Sequence, residues 1–148
     1  MANFHISRHY LGNEANLTPR IPVSQNPTEC AMAPRVCASE SLNGCWESIK
    51  VCHDLVSAMK QNKTLGYYFF VYELSGNFVE SGVIDSHKTG EVVSYSEAKG
   101  RLLFAFYVDS YRLTNSLESA AEKATIQEAI SAYNEWQKDD ILKIERSL

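Results

Sequence analysis

At 148 residues the chain has the length of one domain, enough to bury about 70% of its unfolded surface, and it reads as a single domain over 1–148. A composition of 45% hydrophobic and 22% charged residues excludes a disordered polyelectrolyte and a membrane-embedded class. The formal net charge of −4 at pH 7 argues against nonspecific duplex binding, which depends on a basic footprint to release counterions.

No apolar run reaches the roughly 20 residues of a membrane span. Arg8, His9, Asn13 and Glu14 break up the N-terminal segment before a signal-peptide core can form, so a cytoplasmic location is expected. Asn3 to Ser7 read as a first strand. From Leu11 to Ala33 periodicity is lost, and Pro19, Pro22 and Pro27 favour extended and turn backbone. A loop of that length inside a small domain tends to carry function. Pro19 and Pro22 bracket Arg20 and Ile21 and would hold the arginine in place.

A short strand follows at Arg35 to Ala38. Leu42, Cys45, Ile49, Cys52, Val56 and Met59 then recur at three-four spacing, which predicts an amphipathic helix over 42–59. Gln61 to Gly66 read as a polar turn. Tyr67 to Leu74 is apolar on both faces, as a central strand must be. Further strands are expected at Phe78 to Ile84, Glu91 to Tyr95 and Arg101 to Arg112, with a polar loop from Asp85 to Gly90. The C-terminal quarter turns helical. Leu117, Ala120, Ala121 and Ala124 share one face, Ala129, Ile130, Tyr133 and Trp136 continue it, and Thr125-x-x-Glu128 marks a capping box between two helices. Strands and helices are segregated, so the expected class is α+β, a small mixed or antiparallel sheet with one central amphipathic helix and C-terminal helices.

Cys30, Cys37, Cys45 and Cys52 are spaced seven, eight and seven apart, which fits no zinc-ribbon pattern. They read as small buried hydrophobes in a reducing compartment. The sequence holds no GxGxxG, P-loop, HExxH or G-x-S-x-G motif, so the enzyme classes built on those have no support.

What remains is a constellation: Phe4-His5-Ile6-Ser7, then Pro34-Arg35-Val36-Cys37-Ala38-Ser39-Glu40-Ser41 running into the helix that carries Trp46. This order resembles the ADP-ribosyltransferase family in its poly-ADP-ribose polymerase and diphtheria-toxin branch, over residues 3–8 and 34–74. The chain departs from the pattern where Ile6 follows the histidine and Pro34 stands in place of a glycine. The resemblance implies NAD as substrate, His5 and Ser39 on the ribose hydroxyls, Trp46 stacked on nicotinamide, and a catalytic glutamate before a late strand. Glu97 is the best positional candidate, with Glu80 and Glu91 behind it. Arg20 and Arg35 would bind phosphate through their planar forks.

Each of these residues also has a plainer reading. His5 would be a half-buried histidine bonded to backbone, and Trp46 core packing. The arginines would pair with carboxylates such as Glu14 or Glu29. The Tyr67 to Tyr72 aromatics would be buried, not stacked on bases, and His87 solvated. Two functions follow. One is an NAD-dependent ADP-ribosyltransferase-like protein acting on a protein or nucleic-acid target. The other is a noncatalytic cytosolic factor of bacterial or phage type that binds a protein partner or sequesters a nucleotide signal.

Overall fold

A computed structural model describes residues 2–20, 34–50, 67–80 and 90–147. Eight strands form one sheet: β1 (Asn3–Ser7), β2 (Glu14–Leu17), β3 (Val36–Ser39), β4 (Tyr67–Ser75), β5 (Val79–Glu80), β6 (Glu91–Ser94), β7 (Ala98–Val108) and β8 (Ala121–Ala124). Among the described residues three α-helices accompany them, α1 (Leu42–Lys50), α2 (Leu117–Ala120) and α3 (Ile126–Ser147), with a 3-10 turn at Ser110–Arg112. The α+β class and the antiparallel pairing expected from the sequence are both present. The expected helix beyond residue 50, the strand beyond residue 80, the polar turn at 61–66, and Cys30, Cys52 and His87 lie outside the described residues.

The strand order is β2-β7-β4-β1-β3-β6-β5, with β8 beside β7. β4 is central, as its two apolar faces require, and Phe69, Phe70, Val71 and Tyr72 are fully buried. Its pairing with β7 shifts once: Val71 faces Phe104 and Tyr72 faces Leu102, so Leu103 is an extra residue that bends β7. The other edge of β7 is shared, with β2 against Ala98 to Arg101 and β8 against Ala105 to Val108.

Strands β4, β1 and β3 lie between β7 and β6, yet only residues 95–97 connect Ser94 to Ala98 along the chain. In a flat sheet these strands would stand about 19 Å apart, more than the roughly 14 Å that four residues can span. The sheet is therefore rolled. One core cluster joins Ala15 and Ala98 at one end of the strand order to Val36 and Val92 at the other, around Phe70 and Tyr72. Because it gathers side chains from both ends, this cluster fills the concave side. Ile126, Ala129, Ile130 and Tyr133 of α3 pack on it.

The opposite face carries Ile6, Phe69, Val71, Phe106 and Val108, covered by Cys45 and Trp46 of α1 and by Leu113 and Ala120. Ser41 starts α1, its Oγ accepting the Gly44 N–H at 2.9 Å, and Leu42, Cys45, Trp46 and Ile49 form the inward stripe. Thr125 starts α3 as its sequence pattern predicts, with Oγ1 accepting the Glu128 N–H and bonded to Glu128 Oε1, both at 3.1 Å. The residues before it depart from expectation. Leu117 to Ala120 make one helical turn, and Ala121 to Ala124 are the strand β8 instead of more helix. The exposed edge of β7 offers ladder hydrogen bonds there, and Ala121 to Ala124 take them although alanine, glutamate and lysine are poor strand formers.

Candidate functional site

Between β1 and β3 a single residue pair, Phe4 facing Ser39, is in register. Beyond it the imidazole of His5 bridges the two strands, with Nδ1 3.3 Å from the Cys37 carbonyl oxygen. A carbonyl can only accept, so Nδ1 carries the proton and Nε2 presents a lone pair. Burial is the main influence holding the histidine below its ordinary pKa of 6.5, the Cys37 bond opposes it, and the Arg20 charge adds to the lowering. At neutral pH His5 is thus an oriented, uncharged acceptor for a hydroxyl donor.

Further along the same end of β3, Arg20 and Arg35 form a reciprocal backbone pair, N–H to carbonyl at 3.1 and 2.9 Å. Directly opposed residues in such a pair have Cβ atoms about 5 Å apart, so two guanidinium side chains leave the backbone together. Arg20 is exposed and Arg35 buried. This pairing is how the loop after β2 is tied to β3. His9 lies near these charges, its pKa lowered by burial first and then by Arg8 and Arg20, which favours its uncharged form. Arg8 itself lies between two rings, 4.4 Å from the Tyr67 centroid and 4.5 Å from that of Trp136. The end of β1 is thereby clamped to β4 and α3. Arg8 and His9 were not singled out in the sequence, where only the β1 pattern before them stood out. An acidic chain thus brings the cations Arg8 and Arg20 close to His9 at one strand end.

No family model, no curated protein and no solved structure matches this chain.

Arg20 lies close enough to His5 to lower its pKa and is tied to Arg35 by backbone hydrogen bonds, whereas Ser39, Trp46 and Glu97 stand apart from His5. With Val36 and Ala38 in the concave cluster, the alternation of β3 puts the Arg35 side chain on the same side as Ser39. Side chains alternate along a strand, and Phe4 and Ile6 pack on the α1 side, so His5 belongs to the other set. Ser39, opposite Phe4, lies on the α1 side. It is buried, with Oγ accepting the Ser41 N–H at 3.3 Å. Trp46 is fully buried. Its Nε1–H donates to the Asn115 carbonyl at 2.9 Å, and its ring meets Phe69 and Phe106 edge-on. No face of that ring is open to a ligand in this conformation.

Glu97 is exposed in the 95–97 turn, and Glu80 is exposed on the edge strand β5. Of the three glutamates named in the sequence, Glu91 is the one whose register puts it opposite Ser39, a relation that the sequence could not show without the pairing of β3 and β6. Cys45 donates its thiol to the Phe4 carbonyl at 2.9 Å, and burial pushes its pKa up to about 12. It stays a neutral, unreactive packing residue. Neither Cys37 nor Cys45 is in a disulfide. Among the described residues no cluster of three His, Cys, Asp or Glu side chains could hold a metal ion, and no helix is long and apolar enough to cross a membrane.

Proposed function

We propose that the chain is an ADP-ribosyltransferase-like protein that binds NAD where β1 and β3 part and transfers ADP-ribose to a protein or nucleic-acid target. The observation that carries this reading is the fixed, neutral His5 on the Cys37 carbonyl beside the Arg20–Arg35 pair. An imidazole lone pair suits a ribose hydroxyl, and guanidinium forks suit a diphosphate. The two segments that carry the family resemblance, thirty residues apart in sequence, are also neighbours in the sheet. Transfer would require a carboxylate facing the charge that develops on the ribose. Glu97 is the residue that the resemblance assigns, and Glu91 is the one set opposite Ser39.

The test is thermal unfolding with and without millimolar NAD and ADP-ribose. A ligand at 100 times its dissociation constant adds about 2.7 kcal/mol, a rise of roughly 5–10 °C for a chain of this size. The rise is expected with NAD and is expected to vanish in His5→Ala. A His5→Ala protein that keeps the full rise would remove the site.

A second reading, a noncatalytic factor that sequesters a nucleotide, draws on a specific observation: Ser39 and Trp46 are turned to the α1 side, away from the set to which His5 belongs. Nicotinamide release separates the two. Release that stops in Glu97→Gln or Glu91→Gln, with binding retained, supports transfer, and NAD binding without release supports sequestration.

A further inference from the structure

On the convex face, away from His5, an open groove of about 690 Å³ runs between the start of α1 and α2. Phe4, Phe104, Phe106 and Leu117 form an apolar floor, and Glu40 and Glu118 stand on opposite rims. Both glutamates are exposed. Phe104 is 41% exposed, a large apolar side chain left facing solvent because the Leu103 bulge re-aims the strand at that point.

The charge of the groove has one sign. Among the described residues no lysine, arginine or histidine lines it, and Lys123, opposite Phe106 on β8, stands outside the lining. Glu40 immediately precedes the first turn of α1, where a carboxylate offsets the partial positive charge of the helix start. Glu118 lies in the first turn of α2 and has no basic side chain beside it in the groove. Aromatic faces together with two carboxylates favour a cation carried on an apolar stem.

We propose that this groove docks a protein partner through a segment that presents an arginine or lysine next to an apolar side chain. The apolar residue covers Phe104 and Leu117, and the basic group lies between the rims at Glu40 and Glu118. This site is independent of the nucleotide reading, because none of His5, Arg20 and Arg35 lines the groove.

The test uses the full chain and an array of octapeptides, each with one arginine flanked by every pair of apolar residues, matched to a set with glutamate in place of the arginine. The arginine set is expected to bind, with the glutamate set at least tenfold weaker. Binding of the best peptide should fall at least tenfold in Glu118→Lys and in Phe104→Ser. Both residues are partly or fully exposed, and an unchanged thermal midpoint verifies that each variant is folded. Binding to neither set, equal binding to both, or binding indifferent to both substitutions overturns the proposal. So does a concentration-dependent dimer that Phe104→Ser abolishes, since a second copy would then be the occupant.

Discussion

His5 and His9 both sit below the ordinary histidine pKa of 6.5, for burial first and neighbouring arginine charge after it. A group whose pKa is lower folded than unfolded makes the unfolded chain take up the proton first. Stability is therefore complete above about pH 6.5 and declines as the pH falls below it, until the folded-state value is reached. His5→Asn keeps an N–H donor near the position of Nδ1 but cannot titrate. The loss of thermal midpoint between pH 7 and pH 5 should shrink in that variant, and an undiminished loss would show that His5 is not a source of it. Trp46 makes a different demand. Trp46→Phe removes the hydrogen bond to the Asn115 carbonyl and leaves a void beside the stacked Phe69 and Phe106, so unfolding in urea should show a loss of about 2–4 kcal/mol. If the tryptophan only packs the core, NAD affinity measured on the folded fraction will be unchanged.

The capping box at Thr125 is the boundary on which α3 depends. Thr125→Ala should cost about 1 kcal/mol, read as a lower denaturation midpoint with the slope unchanged. That boundary was legible because capping needs only residues three apart. So were β1, β4 and the start of α1, where side-chain period states both element and buried face. β8 was not legible, since Ala120, Ala121 and Ala124 fit a helical face equally well and the deciding factor is the open edge of β7, sixteen residues upstream. β2 was hidden inside what reads as an aperiodic loop, because Glu14 to Leu17 buries only Ala15 and half-buries Leu17. For the site, the strand patterns of β1 and β3 pointed to His5 and Arg35, and the bracketing Pro19 and Pro22 pointed to Arg20. The face on which Ser39 lies depends on a register that no local pattern encodes. Gly90 marks another local requirement. Its φ of +64° is left-handed, and its carbonyl accepts the Glu40 N–H at 2.9 Å. Gly90→Ala should therefore cost about 1 kcal/mol, seen in the same urea experiment.

The rolled sheet belongs to the whole molecule, and nothing in the sequence announces it, because curvature follows from strand order and connection length together. Tyr72 holds the roll from within. Its hydroxyl accepts the Leu11 N–H and donates to the Gly12 carbonyl, both at 2.8 Å, joining the central strand to the turn between β1 and β2. Tyr72→Phe strands both backbone groups at a cost of about 1–3 kcal/mol. Hydrogen exchange should speed up at β2 and Leu11 before it does in β4, and uniform acceleration would mean that the contact is not a local tie.

The place of β1 between β4 and β3 also bears on how the protein is made. Both partners of this strand are encoded after it, and β4 is not complete until Ser75. At about 5–20 residues per second, a ribosome needs roughly 3–14 s to travel from Ser7 to that point. Until Ser39 is made β1 has neither neighbour, and until Ser75 it lacks β4, so the side chains of Phe4 and Ile6, which later pack in the middle of the sheet, are available to chaperones or to other nascent chains.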